Sequence, residues 1–459
     1  MPARPTVASL HTYPVKSMAG QDVPGIKLDR RGCVGDRMWA VRTVDGKIAS
    51  GKDTRRFSGS PKGPSAIDIA VSPDGTGGGT WSVYNFDTTD PSGVGCPCFS
   101  DYPHLATDGV ALYITSNEFS TLGSSFNGAQ VFALPKAPLV HGDSAIPMAH
   151  VSTTNDGAGR GFTLAPVVST GGVYPPSGSM YFLSSDAVFT LSGASSTLYV
   201  WTLTGTDTIG SQHPDVTLTP QAVTVPQYAV PPLTQQPEGA APLRDCLNLT
   251  DCSKAILGSP NRYKEVLESY DSSDTRVLQA AWAAGTIWGA LGTAVDVPGA
   301  TATTQPGIAY YAVRPGQSAP DVAQTLVLPG GSLSYPSIGV TSSGQGVIGM
   351  SLAGAGHHPS AAYALIDGGP APTTVQIAQE GRSAYDDFSG YRAYQYNRPR
   401  FGDYGAASVV GNRVWIASEY VDSPGCTAAV FQAHGFNCGD GTRTALANWA
   451  TRVSAVDLR

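Results

Sequence analysis

DYPHLATDGVALYITSNEF (residues 101–119) and DYGAASVVGNRVWIASEY (403–420) are two copies of one pattern. Each opens on Asp-Tyr. A short strand follows, then a turn, then a second strand that runs into Ser, Glu and an aromatic. Tyr335-Pro336-Ser337-Ile338-Gly339-Val340 with Gly346-Val347-Ile348-Gly349-Met350-Ser351 repeats it without the acids. Asp274-Thr275-Arg276-Val277 with Thr286-Ile287-Trp288-Gly289-Ala290 is a fourth copy. Leu164-Ala165-Pro166-Val167-Val168 with Ser179-Met180-Tyr181-Phe182-Leu183 is a weaker fifth. Repetition at this spacing marks an architecture of similar modules.

Each copy leads into a further alternating stretch: AQVFALP (129–135), TLYVWTL (197–203), GIAYYAV (307–313), SAAYALI (360–366) and TRVSAVD (451–457). Alternation with period two is the mark of a half-buried strand. Repeated antiparallel units with small residues on the innermost strands predict blades. Ile67–Ser72 and Trp81–Phe86 read as an outer hairpin, a half blade without inner strands. The fold class expected is therefore all-β. It is a β-propeller of about six blades, its first part replaced, preceded by a small β-barrel fragment. The expected domains are 1–60 for the fragment and 61–459 for the propeller. A Thr-, Pro- and Gln-rich insertion at 205–244 is expected to be an exposed connection. Leu278–Ala284 is read as strand because the repeat outweighs its helical propensity.

Composition supports this division. The 459 residues include 54 Gly and 35 Pro, too many breakers for a helical bundle, and only 14% are charged. Net charge is −7, which excludes a broadly basic nucleic-acid binder. Residues 1–57 carry 11 Lys+Arg against 5 Asp+Glu, and only four lysines follow Phe57. That shift suggests two pieces of different origin. No apolar run is long enough to span a membrane, and Met1–Leu10 lacks the apolar centre of a signal peptide. The compartment stays open, because the cysteines argue the other way. Cys246/Cys252 and Cys426/Cys438 are close pairs flanked by turn residues and are expected to be local disulfides, which form in an oxidising environment. Cys96-Pro97-Cys98 is read differently. Two cysteines so close are expected to have distant partners or to stay free, with a metal site that includes His104 as the lesser alternative. No metal and no cofactor is assigned.

The side chains of the repeat that could carry chemistry are acidic. Asp101 and Asp403 are placed as equivalents, as are Glu118 and Glu419. Carboxylates gathered at inner strand ends suit a cation or the acid and base of glycoside hydrolysis. A structural role competes, since blade-to-blade ties recur while catalytic groups need not. Between Tyr385 and Arg398 lies a loop dense in aromatics and charges, with Arg392, Arg398 and then Arg400, Asp403 and Tyr404. Such loops make ligand surfaces. Lys16, Arg37, Lys52, Arg55 and Arg56 are the candidate anion-binding set of the basic segment. No GxSxG, HExxH, P-loop or dinucleotide fingerprint occurs.

Two resemblances refine these readings. Tyr13-Pro14-Val15-Lys16-Ser17, Gly20, Gly32, Gly35-Asp36-Arg37-Met38-Trp39, Asp45-Gly46 and Gly51-Lys52-Asp53-Thr54-Arg55-Arg56-Phe57 resemble the N-terminal β-barrel domain of MOSC proteins, of the molybdenum cofactor sulfurase type. That resemblance implies a barrel fragment. The sulfur or molybdenum chemistry of such proteins belongs to a following domain, which has no counterpart after residue 60. Ser72-Pro73-Asp74-Gly75 with Gly78-Gly79-Thr80-Trp81 resembles a stretched Asp box, and residues 65–459 resemble secreted sialidase-like propellers. The function expected is that of an extracellular-type binding module for carbohydrate or another protein. A sialidase-like glycoside hydrolase and a molybdenum-cofactor sulfur-transfer protein are the alternatives.

Overall fold

The computed structural model describes residues 10–12, 21–23, 28–29, 32–33, 65–72, 81–89, 96–122, 126–153, 161–258, 269–297, 304–366, 374–387 and 401–458. Four short strands come from the basic segment: β1 (Leu10–Thr12), β2 (Gln21–Val23), β3 (Leu28–Asp29) and β4 (Gly32–Cys33). β1 and β2 are antiparallel. Lys16, Arg37, Lys52, Arg55 and Arg56 lie outside the described residues. The chain divides into two compact units. The first is Met1–Leu28, Cys33–Ser185 and Leu198–Ala222, and the second is Asp29–Gly32, Asp186–Thr197 and Val223–Arg459.

In the first unit, β5 (Ala66–Val71) and β6 (Ser82–Asp87) form the expected hairpin, with Ile67 opposite Phe86 and Ile69 opposite Tyr84. Period-two alternation puts these four side chains on one face. That face packs on Ile114, Phe132 and Leu134 of the adjoining meander. The meander is β7 (Cys98–Thr107), β8 (Ala111–Ser120), β9 (Phe126–Pro135) and β10 (Ala149–Ser152), paired in sequence order. A short helix, α1 (Lys136–His141), joins β9 to β10. A second meander follows: β11 (Phe162–Ser169), β12 (Ser179–Ser185), β13 (Ala194–Thr204) and β14 (Thr217–Ala229). β14 lies inside the stretch expected to be a bare connection. Leu218, Val223, Val225 and Tyr228 supply enough apolar contact for a strand, and the outermost position tolerates its two prolines.

β14 passes from the first unit into the second at Val223, and the second unit continues with the small pair β15 (Thr234–Gln235) and β16 (Ser269–Tyr270), which brackets helices α2 (Pro242–Leu247) and α3 (Thr250–Leu257). The third meander is β17 (Val277–Ala283), β18 (Thr286–Asp296), β19 (Thr304–Val313) and β20 (Val322–Leu326). The fourth is β21 (Gly331–Val340), β22 (Gly346–Gly354), β23 (His357–Ile366) and β24 (Val375–Gln379). The last has three strands, β25 (Ala406–Val410), β26 (Arg413–Val421) and β27 (Trp449–Asp457), with α4 (Ala428–Ala433) between β26 and β27. His357 and His358, read from sequence as a solvent loop, open β23 and are half-buried.

These sheets stack face to face. Trp288, Ile308 and Tyr310 of the third meander interlock with Ile338, Ile348, Met350 and Ala362 of the fourth. Val347 of the fourth meets Val414 and Ile416 of the last. Glycine sets this spacing: a Cβ at Gly339 would come within 2.8 Å of a Val414 methyl. Antiparallel meanders packed this way are propeller blades, and the chain is an all-β protein of propeller type. Every third strand expected from the alternation is present. Leu278–Ala283 is strand, as the repeat required.

Candidate functional site

In the first four meanders the inner strand carries one extra residue at the same place, while β25 pairs with β26 without a shift. Pairing shifts between Asp101 and His104, Phe162 and Ala165, Val277 and Ala280, and Ser334 and Ser337. This is a β-bulge, and it re-aims the side chains around it. Tyr102, Thr163 and Tyr335 hold it with left-handed φ angles of 60°, 53° and 54°. Tyr102 and Tyr335 are thus equivalents, as the repeat requires. Tyr404 is not: it lies in the turn ahead of β25 and is 74% exposed.

The register also identifies which second-strand residue faces the bulge. His104 pairs with Thr115, Ala165 with Leu183, Ala280 with Gly289, Ser337 with Gly349 and Ala406 with Ala417. Two residues further along stand Asn117, Ser185, Leu291, Ser351 and Glu419. Glu419 therefore corresponds to Asn117, and the sequence pairing of Glu419 with Glu118 is one residue out of step. A one-residue step in a strand turns the side chain to the other face. Asp101 and Glu118 are accordingly not brought together. Asp101 faces Asn117 across the ladder, while Glu118 faces Ser100.

Asn117 shows what the position ordinarily does. Its Nδ2 donates to Thr163 Oγ1 at 2.8 Å, and its Oδ1 accepts from the Thr163 N–H at 2.7 Å, so it clamps the next bulge. In the last sheet the same position holds a carboxylate. The Gly402 N–H donates to Glu419 Oε2 at 2.8 Å. Gly402 has a φ of 91°, and a Cβ there would lie 2.5 Å from Ser351 Oγ and 2.8 Å from the Tyr335 ring. Only glycine brings this N–H to the acid.

Around Glu419 stand Asp403, Asp387, Tyr385 and Tyr270. Burial pushes the Glu419 carboxyl up, and the Asp403 charge adds to this while the Gly402 N–H opposes it. Burial pushes Asp387 well above the usual carboxylate range, with the Asp386 and Glu419 charges adding to it. The Asn448 N–H bond to Asp387 Oδ1, at 2.6 Å, pulls the other way. Tyr385 is raised well above the ordinary phenol, by burial first and then by Asp387, Glu419 and Asp403. Tyr270 is raised by burial and by Glu419. The arrangement is a buried, low-dielectric cluster in which several acids compete for charge.

Hydrogen bonds, ring contacts and an ion pair hold this cluster. Gln236 clamps the Tyr385 backbone, accepting from its N–H at 2.8 Å and donating to its carbonyl at 3.2 Å. Tyr270, Tyr385 and Phe401 form a ring cluster with centroids 4.9–6.1 Å apart. Tyr335 Oη donates to the Asp271 carbonyl at 2.7 Å. Beneath, Arg443 and Asp386 form an ion pair of 3.0 Å with both side chains fully buried. Arg443 also lies 4.8 Å from the centre of the Phe431 ring. Burial raises the Asp386 carboxyl, and Arg443 and the Leu243 N–H pull it back.

Of the residues singled out from sequence, Asp403 and Glu419 come together, Tyr404 stands beside them, and Asp101 and Glu118 belong to the first unit. Arg392, Arg398 and Arg400 lie outside the described residues. Asp386 and Asp387 fall within the aromatic and charged loop that the sequence marks, but nothing marks Arg443 or Asn448. The disulfides Cys246–Cys252 and Cys426–Cys438 are present, with Cα atoms 5.1 and 5.6 Å apart. They flank a small apolar cluster of Leu243, Leu247 and Phe431. The expectation for the third pair is corrected: Cys96 and Cys98 bridge to each other, their Cα atoms 4.5 Å apart.

The fold and site define an all-β propeller-type protein with a buried acidic and aromatic cluster in its second unit. The family described as the MOSC N-terminal beta barrel domain matches residues 4–57. No curated protein matches the chain. Solved structures similar to it include a protein of unknown function from Dyadobacter fermentans, 12% identical, covering 79% of this chain and 83% of that one, TM-score 0.34. An α-L-arabinanase of Penicillium chrysogenum complexed with arabinobiose is 10% identical, covering 78% and 93%, TM-score 0.33. The GH43_1 enzyme from Xanthomonas citri complexed with xylotriose is 10% identical, covering 78% and 87%, TM-score 0.31. No helix among the described residues is long and apolar enough to cross a membrane.

Proposed function

We propose that the chain is a carbohydrate-binding propeller whose ligand meets it at the loop 402–404, ahead of β25. One observation carries this reading: a half-buried carboxylate, Asp403, is followed directly by an aromatic ring that is 74% exposed, Tyr404. A sugar offers both complements, an apolar C–H face for the ring and hydroxyl groups for the acid. Glu419 and Gly402 fix the loop from behind. A glycan-array screen of the whole protein, followed by calorimetric titration of the best ligand, tests it. Tyr404→Ala is expected to weaken binding by about tenfold, or ~1.4 kcal/mol. Affinity for no glycan, or affinity untouched by Tyr404→Ala and Asp403→Asn, removes the reading.

A second reading, glycoside hydrolysis, draws on the raised carboxyls. An acid that stays protonated near neutrality can donate to a leaving oxygen, while a neighbouring ionised acid serves as base or nucleophile. Glu419 is the donor on this reading and Asp403 its partner. Chromogenic glycosides test it, with Glu419→Gln expected to abolish turnover and retain binding. The sialidase-like alternative needs an arginine cluster, for which Arg392, Arg398 and Arg400 are the candidates. Sulfur transfer, the other alternative, would draw on the MOSC-type segment alone.

A further inference from the structure

The first unit holds a buried carboxylate that the acidic cluster of the second unit does not include. Glu118 is 1% exposed on β8. The register puts it on the same face as Cys98, since Cys98 pairs with Ser120 and Ser100 with Glu118. Cys96 Sγ lies 3.9 Å from Glu118 Oε1, and the two sulfurs and the carboxylate all lie within 4.8 Å of one another. Gln130 Nε2 donates to Glu118 Oε1, and the buried Gln130 Oε1 has no partner among the described residues. Asn127 Nδ2 points at both sulfurs, 2.7 Å from Cys98 Sγ and 3.3 Å from Cys96 Sγ.

As a disulfide the pair is neutral. Opened, it becomes two thiols beside a buried acid. Ionising both would crowd three negative charges into one small space of low dielectric. A divalent cation bound there removes that repulsion, as the disulfide does by a different route. Two sulfur donors and one carboxylate select a borderline-soft ion. We infer that reduction of Cys96–Cys98 opens a binding site for a divalent cation of the zinc class. Its ligands are Cys96 Sγ, Cys98 Sγ and the Glu118 carboxylate, with the Gln130 amide oxygen as a neutral fourth donor.

The reductant is a thiol. Its thiolate attacks Cys96 Sγ, the half-buried sulfur, because Cys98 is fully buried. The S–S bond breaks and its electron pair leaves on Cys98, where the Asn127 N–H groups receive the charge. A second thiolate attacks the external sulfur of the mixed disulfide. That releases Cys96 and yields the oxidised reductant. The two protons shed by the reductant thiols on ionising pass to Cys96 and Cys98, so the chain gains two electrons and two protons, and the cation displaces the two protons as it binds.

The test uses the full chain, reduced with a dithiol that is then removed anaerobically, and titrated with Co²⁺ alone. Thiolate-to-cobalt charge-transfer absorption saturating at one ion per chain is expected. Zn²⁺ should displace it. Glu118→Gln should weaken binding by about ten- to a hundredfold. Cys96→Ser with Cys98→Ser, which leaves Cys246, Cys252, Cys426 and Cys438 intact, should abolish the band. A band that persists in that double variant overturns the proposal, as does no band in the reduced wild type. Near-ultraviolet circular dichroism is followed in parallel with Zn²⁺ present before the reductant. A reduced chain that loses its tertiary signal despite the metal also overturns it.

Discussion

Gly402 shows how much a single backbone position can decide. Its φ of 91° and its contact distances leave no room for a Cβ, and its N–H is the donor that holds Glu419. Gly402→Ala is expected to destabilise the chain by about 1–3 kcal/mol, from left-handed strain and crowding together. Urea denaturation measures this. The same variant should weaken ligand binding, because the loop that carries Asp403 and Tyr404 shifts with it. Glu419 makes a different prediction. Its carboxyl is raised in the folded chain, as are those of Asp387 and Asp386. A raised acid contributes stability that is complete below its unfolded pKa and is lost as pH rises through its folded pKa. Asp321, Asp440 and Asp457 are lowered and act in the opposite sense, but only once pH falls into the ordinary carboxylate range. Melting temperature should therefore rise as pH is lowered from about 7 to 5. Glu419→Gln should flatten that rise, and a profile unchanged by the substitution would contradict the burial of this acid.

Among elements, the contact between β8 and β11 is the clearest joint in the first unit. Two buried hydrogen bonds run from Asn117 to the backbone and side chain of Thr163. Asn117→Ala leaves both Thr163 groups unsatisfied and should cost about 2–4 kcal/mol, read from the denaturation midpoint. The helical insert of the second unit is fixed by a different device. Arg443 pairs with Asp386 where neither side chain reaches water. Arg443→Leu strands a buried acid and should cost about 3–5 kcal/mol at neutral pH. The loss should shrink on acidification, as Asp386 takes up a proton. A loss independent of pH would assign the cost to packing over Phe431 instead.

For the whole molecule, the hairpin β5–β6 packs through its apolar face on the first meander, so the half blade has its own apolar support there. A chain that begins at Ser65 should therefore keep the melting temperature and glycan affinity of the full protein. Substantial loss of either would assign the basic segment a part in the propeller. The repeat was legible because blades are local: each strand pairs with its sequence neighbour, so period-two alternation and turn residues suffice to place it. The half blade, the third strands and two disulfides followed from that logic. The Cys96–Cys98 bridge did not, because whether two near cysteines pair depends on the angle between their Cβ bonds. Nor did β14, whose polar composition masks an outermost strand.

The amino-acid order alone determined that this polypeptide forms successive antiparallel sheets, and it singled out Asp403, Tyr404 and Glu419 as candidates for a site. Tertiary structure decided which acids meet. Strand register sets which side chain faces the neighbouring blade, and the pairings of His104 with Thr115 and of Ala406 with Ala417 make Glu419 the counterpart of Asn117. It also took the fold to bring Asp387 and Arg443 from distant loops to the same buried place. Charge competition of that kind arises only where water has been excluded.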